Sequence, residues 1–146
     1  MKKKDIFAIA LCLIAGLWLL TFRRSSPDQL NLTDGKMTAE GTAVLPVVLK
    51  TSSQRLSAIE WQIAAPLGAT FTVNTTLHEK FLRCKAERCI LFGGQTPIRS
   101  GLIASLTLHV PGARHLPVSI ALVKVMGAEN DGSRRIIAGS TATIAP

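Results

Sequence analysis

From Thr42 onward, apolar and polar residues alternate in short runs with the period of two that half-buried strands require. Ala43, Leu45, Val47 and Leu49 alternate in a first strand. Pro46 within it predicts an edge position, because proline has no N–H to give to a ladder. Ile59, Trp61 and Ile63 share one parity, with Ala58, Glu60 and Gln62 on the other. Phe71 and Val73 alternate with Thr70, Thr72 and Asn74. Leu102, Ala104, Leu106, Leu108 and Val110 form the cleanest stripe, opposed by Ser105, Thr107 and His109. After a turn at Pro111-Gly112 come Leu116, Val118, Ile120 and Leu122. Asn130-Asp131-Gly132 then predicts a hairpin turn into a last strand near Ile136–Ile144. No helical period longer than a turn or two interrupts this series. Seven to nine short strands at such spacing predict an all-β sandwich, with Trp61 and Phe71 in its core.

The front of the chain follows another pattern. Ile6 to Phe22 is an uninterrupted apolar or small run, bounded by Lys2–Asp5 and by Arg23-Arg24. Seventeen helical residues span ~25 Å, close to the shortest length that crosses a bilayer core. The run ends in Leu-Leu-Thr-Phe-Arg-Arg without a small-x-small cleavage site, and Cys12 lies mid-run without the small neighbour of a lipoprotein site. Residues 1–24 are therefore read as an N-terminal transmembrane anchor, with a cleaved export signal as the alternative. The basic flanks favour a cytoplasmic N-terminus. The C-terminal part would then stand outside the cytoplasm, in the periplasm or at the cell surface, or be secreted if the segment is cleaved. Residues 25–41 are polar and aperiodic and read as a tether, leaving 42–146 as the sandwich domain. Asn31-Leu32-Thr33 and Asn74-Thr75-Thr76 match the glycosylation sequon, a pattern common by chance.

Composition and charge narrow the function classes. With 47% hydrophobic and 18% charged residues in 146, the chain is not an intrinsically disordered one. Its formal charge of +8 owes much to the five basic residues flanking the apolar run; from Ser25 onward 12 basic residues face 8 acidic ones. A nucleic-acid partner thereby loses its support. Hydrolase, zinc-protease and phosphate-loop motifs are missing, and His78, His109 and His115 fall on different elements, so no catalytic residue, cofactor or metal ligand is assigned. Cys84 and Cys89 can close a small loop as a disulfide, which suits an exported domain; two free thiols are the alternative, while a zinc site lacks a second ligand pair. Lys80, Arg83, Lys85 and Arg88 surround these cysteines, interrupted by Glu79 and Glu87. They read either as a solvated hairpin or as a basic patch for an acidic partner or lipid headgroups, and Arg134-Arg135 invites the same two readings. Sugar stacking would fall to Phe81 and Phe92, since the chain has no tyrosine.

Cys84, Cys89-Ile90-Leu91-Phe92-Gly93, Thr96-Pro97-Ile98, Gly101-Leu102-Ile103-Ala104 and Leu106-Thr107-Leu108 resemble the cohesin-like domains of bacterial surface proteins, in which a cysteine pair precedes an apolar strand ending in glycine. Leu45–Leu49 with Ala58–Ile63 resembles the first two strands of that family, and Ser140–Ile144 its closing strand. The resemblance covers about Thr42–Ile144. It implies a jelly-roll β-sandwich of about nine strands, related in fold to carbohydrate-binding modules. No dockerin-contact set matches residue by residue, and Gly94 stands where many relatives place Asn, so no binding residue is carried over. The expected function is a membrane-tethered, exported, non-catalytic module that binds or organises other proteins at the cell envelope, a dockerin-type protein among them. A carbohydrate-binding module and a structural subunit of a secretion or pilus-type assembly are the alternatives.

Overall fold

The computed structural model describes residues 27–112 and 115–146. The apolar run Ile6–Phe22 lies outside them, and among the described residues no helix is long and apolar enough to cross a membrane. Among the described residues eleven strands form: β1 (Gln29–Leu32), β2 (Gly35–Lys36), β3 (Thr42–Lys50), β4 (Leu56–Ala64), β5 (Thr70–Thr75), β6 (Phe81–Lys85), β7 (Arg88–Phe92), β8 (Gly101–His109), β9 (Val118–Glu129), β10 (Arg134–Ile136) and β11 (Thr141–Ala145). One sheet has the order β1-β3-β8-β5 and the other β2-β11-β9-β4-β7-β6, with β10 beside β11 along the same edge of β9. The inward parities of both sheets meet in a single core, with Leu45, Leu49, Ile59, Trp61, Leu91, Leu106, Leu108 and Ile120 almost entirely buried. The all-β sandwich expected from the alternation is present, and Trp61 is fully buried. Phe71 is half-buried against the core.

Four readings need correction. Gln29–Leu32 and Gly35–Lys36, placed in the polar tether, are strands of the sandwich: Leu30 and Leu32 are buried, and β1 pairs β3 antiparallel from Gln29↔Lys50 to Leu32↔Val47. Two apolar positions among polar neighbours were too short a run to stand out. Leu102 does not belong to the core stripe. Between Val47↔Ala104 and Val48↔Leu102 the register shifts, so Ile103 is the extra residue of a bulge and points inward, leaving Leu102 48% exposed. Leu116 precedes its strand in the 110–117 connection and is 73% exposed. The last strand is two strands, β10 and β11, which succeed each other along β9. The part from Thr42 onward thus carries nine strands, the number expected, and β1 and β2 bring the count among the described residues to eleven.

Pro46 lies where β1 has just ended. Its carbonyl accepts from the Thr33 N–H at 3.3 Å, and its missing N–H faces the same side, so the position is a local edge within an otherwise central strand. β9 carries a second bulge at Lys124, φ 51°, opposite Trp61. Strand directions define two poles. The first gathers Asp28, the 51–55 loop, the 93–100 loop and the 130–133 turn; the second gathers the 65–69 and 86–87 turns, residues 110–112 and 115–117, and the end of β11.

Candidate functional site

Strand register builds one face residue by residue. On the outer side of the larger sheet, Arg83 of β6, Ile90 of β7, Glu60 of β4, Met126 of β9 and Ile136 of β10 stand in one row. Phe81, Phe92, Ala58, Ala128 and Arg134 make the row toward the first pole; Lys85, Arg88, Gln62 and Val123 make the row toward the second. Apolar residues thus occupy the outward parity, where a solvated sheet normally carries polar ones. Phe81 is 62% and Ile136 86% exposed, with Ile90, Val123 and Met126 partly so. Arg83, Lys85, Arg88 and Arg134 rim this strip, and Arg88 is ion-paired to Glu60 across β4 and β7. The opposite sheet presents Thr72, Asn74, Ser105 and Thr107 outward, with the exposed Val44 beside Thr107 and Leu102 at its first-pole end, so its apolar residues are scattered among polar ones.

Of the four basic residues singled out in sequence, three share this face and one does not. Lys80 is buried at the first pole, where its ammonium donates to the carbonyl oxygens of Gly93 (2.5 Å) and Thr96. It fastens the 93–97 loop and contributes nothing to a surface patch. Arg83, Lys85 and Arg88 flank a two-residue turn whose Ala86 adopts φ 51°. Cys84 and Cys89 are directly paired across that hairpin and joined by a disulfide, which removes the thiol and zinc alternatives for them. Among the described residues no group of three His, Cys, Asp or Glu is placed to hold a metal. Phe81 and Phe92 stack at 6.1 Å with planes tilted by 40°, so only one exposed ring is offered, and a flat strip for sugar stacking is not formed. Ile90, Val123, Met126 and Ile136 were missed as surface residues. The available signal was apolar residues on both parities of one strand, as in Ile90-Leu91-Phe92.

The most concentrated charge lies at the first pole and is spent internally. Arg135 binds Asp28 and reaches Glu129 at 3.0 Å, while Arg55 bonds Glu129 at 2.9 Å and Asp131 at 3.3 Å. Burial raises the Asp28 carboxyl, but hydrogen bonds from Arg135, Thr51 and the Ser52 N–H outweigh it and hold it below the ordinary value. The Ser53 hydroxyl, donating at 2.9 Å, is the main reason Glu129 is also lowered, against burial and with help from Arg135 and Arg55. The Asp28 hydrogen bond in turn raises Arg135. Of the second basic pair, Arg135 is therefore a structural tie and Arg134 a rim residue.

No protein-family model matches the sequence, and no curated protein matches it. Solved structures do match. A cohesin module of a family 33 glycoside hydrolase from Clostridium perfringens superposes with a TM-score of 0.66 at 9% identity, covering 82% of this chain and 94% of that one. A non-cellulosomal cohesin from the archaeon Archaeoglobus fulgidus gives 0.62 at 11%, covering 83% and 93%. The type I cohesin–dockerin complex Coh-OlpC–Doc435 from Clostridium thermocellum gives 0.63 at 13%, covering 83% and 95%. The described domain has the cohesin fold, as the resemblance over about Thr42–Ile144 implied.

Proposed function

We propose that the domain is a non-catalytic protein-docking module, a jelly-roll sandwich that engages its partner through the outer face of the β9-β4-β7-β6 side of its larger sheet. The observation that carries this reading is the strip of Phe81, Ile90, Val123, Met126 and Ile136 on an outward parity, rimmed by Arg83, Lys85, Arg88 and Arg134. An apolar centre with a charged rim is the anatomy of a protein interface, and the sign of the rim calls for a partner with carboxylates around an apolar patch. Several solved relatives in fold are held in complexes with dockerins, which supports a protein of that kind as the occupant. The Ile6–Phe22 run supports a further part of the proposal, that the module is tethered to a membrane with its sandwich outside the cytoplasm.

The test places a photo-crosslinking residue at Ile90 or Met126 and, as a control, at Thr72 on the opposite sheet. One protein captured from the first two positions and not from the third, and lost on Arg83→Glu with Arg88→Glu, is the expected result. Capture from Thr72 alone, or glycan binding that depends on Phe81 with no protein captured, overturns it.

A further inference from the structure

The strands at Gln29–Leu32 and Gly35–Lys36 shorten the leash. A tether of 17 residues, 25–41, would let the domain roam up to about 60 Å from a bilayer. With Asp28 fixed in the fold by Arg135, Thr51 and Ser52, only residues 23–27 separate the domain from Phe22. Five residues reach at most about 20 Å, less than the strand length of ~30 Å that separates the two poles. If Ile6–Phe22 spans a bilayer, Asp28 stays within about 20 Å of its surface, too close for the sandwich to turn its second pole to the membrane.

That pole has the chemistry of a headgroup contact. Lys50 and Arg99 are exposed there and form no ion pair among the described residues. They are neighbours, because the Thr51 N–H donates to the Ser100 hydroxyl at 2.9 Å. Beside them Leu77, Pro97 and the exposed Leu102 line a shallow, mainly apolar groove. The carboxylates of this pole are mostly engaged: Asp28 and Glu129 are buried under Arg135, and Asp131 is held by Arg55 and Ser133. Glu79 is the exception: it lines the same groove, is exposed, and only accepts from the Thr96 hydroxyl at 2.8 Å.

We infer that the first pole rests on an anionic lipid surface, with Lys50 and Arg99 on headgroup phosphates and the Leu102 groove at the interface. The sandwich then stands upright, with its docking face turned along the membrane plane and its second pole outermost. This rests on the membrane-tether part of the proposed function.

The full chain in bilayer nanodiscs, carrying a fluorescent amino acid at residue 97 or at residue 67 of the opposite pole, tests it with a quencher on the lipid headgroups. Quenching several-fold stronger at Pro97 than at Leu67, and reduced several-fold by Lys50→Glu with Arg99→Glu in anionic bilayers only, is expected. Equal quenching at the two poles, or quenching at Pro97 that ignores the charge reversals and the lipid charge, overturns the contact. A chain that an alkaline wash strips from vesicles fails at the tether itself, which separates the two failures.

Discussion

A Cβ built on Gly139 would stand 1.9 Å from the carbonyl oxygen of Leu122, closer than any side chain tolerates. The chain passes there between β10 and β11, and the Leu122 N–H donates to Ser140 at 2.8 Å, so the backbone is pinned and cannot retreat. Gly139→Ala should cost about 1–3 kcal/mol, as overpacked sites do, and lower the midpoint of denaturant unfolding without changing its slope. Lys80 is the second residue whose neighbours decide its worth. Lys80→Met keeps the stem and removes the ammonium, leaving the Gly93 and Thr96 carbonyls without that donor; a loss of about 1–3 kcal/mol in the same unfolding assay is expected. Neither role was legible beforehand. Gly139-Ser140 carries no local sign of the close backbone approach, and Lys80 sits in a run of charges where only the fold distinguishes a buried ammonium from its exposed neighbours.

At the scale of elements, the β6–β7 hairpin is clamped at its turn end by a bond between residues that already face each other. Closing so short a loop contributes roughly 2 kcal/mol on the chain-entropy estimate. Cys84→Ser with Cys89→Ala, the alanine chosen because residue 89 is buried, should therefore lower the melting temperature by several degrees and leave a cooperative transition. Loss of the strand signal in circular dichroism would contradict it. The strand series itself was readable in sequence because alternation with a period of two follows from the pleat. It failed where the pleat does: at Ile103, where a bulge exchanges the faces, and at Leu30 and Leu32, where a strand of four residues gives the pattern too little length. The candidate site was legible only at one margin. Arg83, Lys85 and Arg88 come from one hairpin, whereas Met126 and Ile136 reach the same face through pairings that span the chain.

For the molecule as a whole, acid is the condition that singles out the first pole. Asp28 and Glu129 titrate below their ordinary range in the folded state, so their contribution is present above the pH at which unfolded carboxylates ionise and is lost as pH falls through the folded values. Stability should thus decline on acidification below about pH 4–5, and Asp28→Asn should flatten that decline while lowering stability at neutral pH. Thermal unfolding across pH 2–7 checks both. The Asp28–Arg135 pair also has a mechanical meaning. Were the domain held through residue 28 and pulled by a partner on the Ile90–Met126 face, the tension would divide between the sheets. One route runs through the hydrogen-bond ladder of β1 into the far sheet; the other enters the larger sheet at once, through the ion pair into β10 and β9 and through backbone hydrogen bonds that join Ala138 to Asp28 and Leu30. The second route bypasses the smaller sheet, so the load path is short, and acid would loosen its charged part while the backbone bonds stay in place.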